Sequence, residues 1–194
     1  MELIGEITPR SPLLVVAVHH EAEHLATDLP ILITGVGKVA AACAVLGALA
    51  PLPGPERPSL LVNLGSAGAL RDGIEGTHRV GTVLQHDLDG DAIAEMVGID
   101  PSPSLTLGDG LTLATGDRFI ADPDERERLA TVAHLVDMEG YAIAAAAAVL
   151  GIDLVMVKHV SDQADDEAQD RWIDAVSASS RELAGWLAEF HEEV

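Results

Sequence analysis

The sequence predicts an α/β fold: one three-layer α/β/α domain, residues 1–194, built around a central mixed sheet. Three observations carry that expectation. Short runs rich in Val, Leu and Ile alternate with alanine-rich stretches of helical period. No repeat or linker interrupts the alternation. Small and acidic residues gather where the apolar runs end, in TGVGK, NLGSAGAL, TGDRFI, DMEG and HVSDQAD. In an open α/β sheet, ligands bind outside the carboxyl ends of the strands.

The strands follow in order. LLVVAV (13–18), PILITGVG (30–37), SLLVNLG (59–65), GTVLQHD (81–87), LTLAT (111–115), LVDME (135–139) and IDLVMVKHVSD (152–162) are short, β-rich and bounded by turn residues. KVAAACAVLGALA (38–50) and GYAIAAAAAVL (140–150) are helices dominated by alanine, the strongest helix former. The run 171–193 is an amphipathic helix closing the domain, with Trp172, Val176, Leu183, Trp186, Leu187 and Phe190 near a 3.6-residue period. PLPGPERP (51–58) is a proline-broken connection, and 88–104 reads as one short helix and a loop.

Composition narrows the function. Hydrophobic residues make up 48% of the 194, enough for a sizeable core. Against 32 Asp and Glu stand 11 Lys and Arg, a net charge of −21. A field of that sign repels phosphodiester backbones and anionic lipid, so neither nucleic acid nor membrane is an expected partner. No run reaches the roughly 18 apolar residues of a membrane span, and MELIGEITPR lacks the basic start of a signal peptide. A cytoplasmic protein is expected. Cys43 is the single cysteine, which excludes an intramolecular disulfide; its apolar surroundings predict a buried thiol.

HEAEH (20–24) matches the zinc-protease pattern, with His20 and His24 as ligands and Glu21 as base. A third ligand is missing from the following LATDLPILITG, so no metal is expected. TGVGK (34–38) lacks the spacing of a phosphate-binding P-loop, and Val39 stands where Ser or Thr would hold magnesium.

Taken in order, TGVGKVAAA (34–42), VNLGSAGAL (62–70), TGDRFI (115–120), VDMEGYAIA (136–144) and VSDQAD (160–165) resemble the purine nucleoside phosphorylase/nucleosidase superfamily. The resemblance is strongest to its methylthioadenosine/S-adenosylhomocysteine nucleosidases. It implies a nucleoside phosphorylase-like fold, no cofactor, a purine nucleoside as small-molecule ligand, and a homodimer. It assigns Asp162 as the acid that protonates the leaving purine, oriented by Ser161. An aspartate is ordinarily ionised at neutral pH, so that role asks for a setting that opposes the charge; the apolar lead-in LVMVKHV fits one.

By the same resemblance, Glu139 accepts both ribose hydroxyls and Met138 packs on the sugar. Phe119 and Ile120 hold the base, while Ser66, Ala67 and Gly68 let the backbone approach the ligand. The phosphorylases of the superfamily carry an arginine after the first strand for phosphate; here HHEAE stands there, which favours water. Alignment on VVAV makes Glu21 the water-activating base, and a two-residue shift makes it Glu23. Trp172 either covers the ribose or anchors the last helix. The chain departs from its relatives in a segment after GTVLQHD that is shorter by roughly 30 residues, and in Arg118 and Tyr141. A catalytically weak nucleoside-binding paralogue and a phosphate-dependent phosphorylase are the alternative readings.

Overall fold

The computed structural model describes residues 1–164 and 168–193, with side chains throughout them except at 91, 168–174 and 191–193. All seven expected strands are present, and two short ones join them. In chain order the strands are β1 (Glu2–Ile4), β2 (Leu13–Val16), β3 (Ile31–Ile33), β4 (Leu61–Ala69), β5 (Thr77–Gln85), β6 (Leu105–Thr106), β7 (Leu111–Thr115), β8 (Leu135–Asp137) and β9 (Leu154–Asp162). The helices are α1 (His19–Ala22), α2 (Lys38–Leu49), α3 (Gly90–Val97), α4 (Pro123–Ala130), α5 (Gly140–Leu150) and α6 (Ala168–Glu193).

These strands form one mixed sheet. β2 runs parallel to β3 on one side and to β4 on the other, with β1 antiparallel at the edge. β4 then pairs in parallel with β9 from Leu61 to Gly68, and at its far end antiparallel with β8. Because β8 continues through β7 and β5 back to β9, this half of the sheet curls into a ring. A register shift between Ala67 and Gly68 lets β4 serve both partners. Such bulges bend a strand and re-aim its side chains. The strand expected over 59–65 therefore continues through NLGSAGAL to Ala69.

The period-2 alternation of β2 divides the core. Leu13 and Val15 join Leu32, Ala41, Val45, Leu49 and Ile143 beneath α2 and α5. Leu14 and Val16 face the other way, toward Val62, Leu64, Val157 and, from α6, Leu183, Leu187 and Phe190. The amphipathic period expected of the last helix thus delivers Val176, Leu183, Leu187 and Phe190 to the interior. Trp172 falls outside the described side chains.

Two local expectations need correction. Cys43 is exposed, not buried. α2 is apolar all round, and its Ala41, Ala44, Val45 and Leu49 face the core, which turns Val39, Cys43 and Gly47 outward four residues apart. Helix α4 also lies where no helix was expected. Asp122 caps it by accepting the amide of Glu125 at 2.9 Å, and Pro123 opens its first turn. The signal was present as D-P-x-E, but the highly charged DERER masked the single apolar anchor, Leu129.

Leu183 is fully buried where α6 meets the sheet. Leu183→Ala is expected to lower unfolding free energy by about 2–5 kcal/mol, measured by urea denaturation.

Candidate active site

A cavity of about 360 Å³ opens at the carboxyl ends of the strands. It is lined by Ala17 after β2, Val36 after β3, Ser66 to Gly68 of β4, Arg118 to Ile120 after β7, Met138 and Glu139 after β8, and Ser161 and Asp162 of β9, with Glu21 from α1. Ten residues expected from the sequence to form one site thus line one space. That volume falls in the range of small-molecule pockets.

Glu21 is only 4% exposed. Its Oε2 accepts the amides of Ala17 at 2.8 Å and Val18 at 3.4 Å; its Oε1 accepts the Ser66 amide at 2.8 Å and hydroxyl at 3.1 Å. Glu23 points elsewhere: it is exposed and accepts the Ser177 hydroxyl at 2.8 Å. The histidines of HEAEH do not gather round Glu21. His19 pairs with Glu2 at 3.1 Å, His20 is exposed, and the His24 amide donates to Ser180 Oγ at 3.0 Å. Among the described residues, no three His, Cys, Asp or Glu side chains converge as a metal-ligand set.

Lys158, set within the apolar lead-in LVMVKHV, is the electrostatic centre beneath this floor. Its side chain is 3% exposed and its Nζ lies 2.9 Å from Asp137 Oδ2. A methyl group on Gly65 would stand 2.9 Å from Lys158 Nζ and 3.2 Å from Glu21 Oε1, so ammonium and carboxylate converge on the space that glycine leaves. Three buried acids surround the ammonium: Asp137, Glu21 and Glu139, in decreasing order of their effect on it, and together they hold its pKa above the ordinary lysine value against the opposing pull of burial. Asp137 is further held by the Thr115 hydroxyl at 2.6 Å and the Gly140 amide at 2.8 Å. The second of these ties it to the start of α5.

Glu139 is 8% exposed. Its Oε1 accepts the Gly37 amide at 2.7 Å. Gly37 has φ of +94° and begins α2, so TGVGK uses its free helix-terminal amides on the protein's own carboxylates: Gly37 N on Glu139, Lys38 N on Asp117 at 2.8 Å. Burial first, then neighbouring Asp137, pushes the Glu139 pKa up to about 8; Lys158 and the Gly37 amide act against them, and Glu21 adds to the rise.

Asp162 is half-buried, not sealed as its apolar lead-in suggested: β9 buries Met156 to Lys158 and then surfaces. Its Oδ2 accepts the Ser161 hydroxyl at 2.7 Å and its Oδ1 the Ala164 amide at 2.9 Å. Ala164 holds that amide in place with a left-handed φ of +51°, costly for a residue with a side chain. Gly68 is what lets β4 pass so close: a methyl there would come 3.0 Å from Asp162 Oδ1 and 3.2 Å from both Ala164 Cβ and Val136 Cγ1. Ile120 is buried and Phe119 is partly exposed at the rim beside Arg118, which is bound to Glu125 at 2.9 Å.

Removing the buried cation leaves three acids uncompensated. Lys158→Met is expected to destabilise the fold by about 3–5 kcal/mol near pH 8. The loss should shrink as pH falls below 8 and Glu139 takes up a proton, as denaturant titrations at several pH values would read.

Comparison with known proteins agrees with this architecture. The family model for the Phosphorylase superfamily matches residues 109–192. A 5′-methylthioadenosine/S-adenosylhomocysteine nucleosidase of Exiguobacterium is 28% identical over 93% of this chain and 89% of its own. The enzyme of that name from Actinobacillus succinogenes is 30% identical over 78% of this chain and 75% of its own. The Helicobacter pylori nucleosidase crystallised with butyl-thio-DADMe-Immucillin-A shares the fold, with a TM-score of 0.81 over 97% of this chain and 100% of that one, at 19% identity. Ordered motifs, sheet topology and sequence relatives lead to one assignment: the chain belongs to the nucleoside phosphorylase/nucleosidase superfamily, alongside its methylthioadenosine/S-adenosylhomocysteine nucleosidases.

Proposed function

We propose that the protein hydrolyses the N-glycosidic bond of a purine nucleoside or thionucleoside, such as methylthioadenosine or S-adenosylhomocysteine, to free base and sugar. The observation that carries this reading is the convergence of Glu21, Glu139 and Asp162 on one cavity of nucleoside size. Asp162, steadied by Ser161 and the Ala164 amide, delivers a proton to the purine as the bond breaks. Glu139 accepts the ribose hydroxyls with Met138 against the sugar. Phe119 and Ile120 face the base across the strand of Ser66, Ala67 and Gly68. Glu21 draws a proton from the attacking water. The long 3.4 Å contact from Val18 leaves its Oε2 room to accept that hydrogen bond.

Water is favoured over phosphate because the cations are committed. Among the described residues, Lys158 beneath the cavity is bound to Asp137 and Arg118 of the lining to Glu125, and the other charged groups of the lining are carboxylates. We also propose a homodimer, acting in the cytoplasm in salvage of the thionucleoside. Its support is the outward apolar row of Val39 and Cys43 on α2 with exposed Val149 of α5, and Met96, Val97 and Ile99 in and after α3. Light scattering should give twice the chain mass, and a monomer at micromolar concentration would contradict it.

Incubation with methylthioadenosine, S-adenosylhomocysteine, adenosine and inosine tests the reaction. Free base should form without phosphate and in the presence of chelator. Strict phosphate dependence would make the protein a phosphorylase, loss with chelator would implicate a metal, and binding without turnover would make it a weak paralogue. Asp162→Asn should lower kcat by about 10²–10⁴-fold with little change in ligand affinity; near-normal turnover would remove Asp162 from the acid role.

A further inference from the structure

Three carboxyl groups line the floor of the cavity over one buried ammonium, and the three are not equally solvated by the protein. Glu21 receives three short donors and one long one. Asp137 receives the Thr115 hydroxyl, the Gly140 amide and the Lys158 ammonium. Among the described residues Glu139 receives one, the Gly37 amide. Each acid is less than a tenth exposed, so solvent reaches it only through the cavity and the protein's own donors set most of the difference. With one positive charge among three acids, a proton on the least solvated of them removes the largest electrostatic penalty.

We propose that Glu139 holds this spare proton while the pocket is empty and releases it to water when the two hydroxyls of a ribose dock on its carboxylate. The second half rests on the nucleosidase reading; the first needs no ligand at all. Two hydroxyl donors supply the hydrogen bonds the protein withholds from Glu139, and only the ionised carboxylate accepts both without competing as a donor. The balance is simple: carboxylic acid becomes carboxylate, and one proton leaves for bulk solvent.

The groups that face Glu139 agree. Asp137 on β8 and Glu21 on α1 repel its negative charge, while Lys158 on β9 and the Gly37 amide at the start of α2 oppose them; burial decides, and the carboxyl is pushed up to about 8. The other charged groups nearby among the described residues are engaged elsewhere: Lys38 with Gln85 and Asp87, Arg118 with Glu125, and Asp162 with Ser161 and Ala164. Binding thereby creates a negative charge beside the ribosyl group before its anomeric carbon becomes cationic. A charge fixed there stabilises the cationic transition state more than the neutral substrate.

The sign of the pH dependence follows. Only the deprotonated pocket grips the diol, so affinity for a ribose ligand should rise about tenfold per pH unit below pH 8 and then level off.

Two measurements test the proposal. Carbon-13 NMR of ligand-free protein labelled at the glutamate carboxyls should show one carbon titrating near pH 8, absent in Glu139→Gln. If every glutamate of the wild type titrates in the ordinary carboxylate range, the proposal is overturned, whether or not the variant folds. Calorimetry at pH 7 in buffers of differing ionisation enthalpy should show formycin A, whose base is joined to ribose through carbon, releasing close to one proton. Its 2′,3′-dideoxy counterpart should release none. Equal release by both, or none by formycin A, would overturn the coupling to the diol. Failure of formycin A to bind would count against the nucleoside reading instead, and the NMR titration then decides the proton's location alone.

Discussion

The ion pair between Lys158 and Asp137 is the contact on which the rest of the site depends. A lysine ammonium and an aspartate withdrawn from water together are costly unless each is also satisfied by its surroundings. Here Asp137 is held by Thr115 and by the first amide of α5, and the ammonium is flanked by Glu21 and Glu139. The pair joins β8 to β9, whose ends carry Met138 and Glu139 on one side and Ser161 and Asp162 on the other. It also supplies the positive charge that allows several buried acids to share one cavity floor.

Glycine makes the arrangement possible at two positions of β4. At Gly65 the absent side chain is the space shared by Lys158 Nζ and Glu21 Oε1; at Gly68 it is the approach of Asp162. The register shift between Ala67 and Gly68 falls between them, so β4 follows β9 along most of its length and turns to β8 at the mouth of the pocket. A strand with ordinary side chains at these positions would hold the same sheet but not the same site. The cavity is thus built into the middle of the fold, on strand ends of the closed half of the sheet.

Much of this was legible in the sequence, for identifiable reasons. The strands buried on both faces appear as continuous apolar runs, and the last helix shows its period because only one face is covered. The residues of the pocket could be gathered because each closes an apolar run. Lys158 could not be found that way. It stands 21 positions from Asp137, between Val157 and His159, and only the register that sets Gly65 opposite Lys158 reveals its depth. Helix α4 was hidden by a charged composition that offers one buried leucine, and Cys43 was misread because an all-apolar helix does not announce which face is covered. HEAEH was half legible: Glu21 does line the cavity, held through Ser66 and the turn after β2, not through its histidine neighbours.

The central claim is that water, activated by Glu21, attacks the ribosyl carbon. A single-turnover reaction in ¹⁸O-labelled water containing phosphate, with the sugar product read by mass spectrometry, tests it most directly. The account predicts a free sugar carrying one ¹⁸O at its anomeric carbon, and loss of that product in Glu21→Gln with adenine binding retained. A sugar 1-phosphate without label, or undiminished labelling in Glu21→Gln, would contradict it.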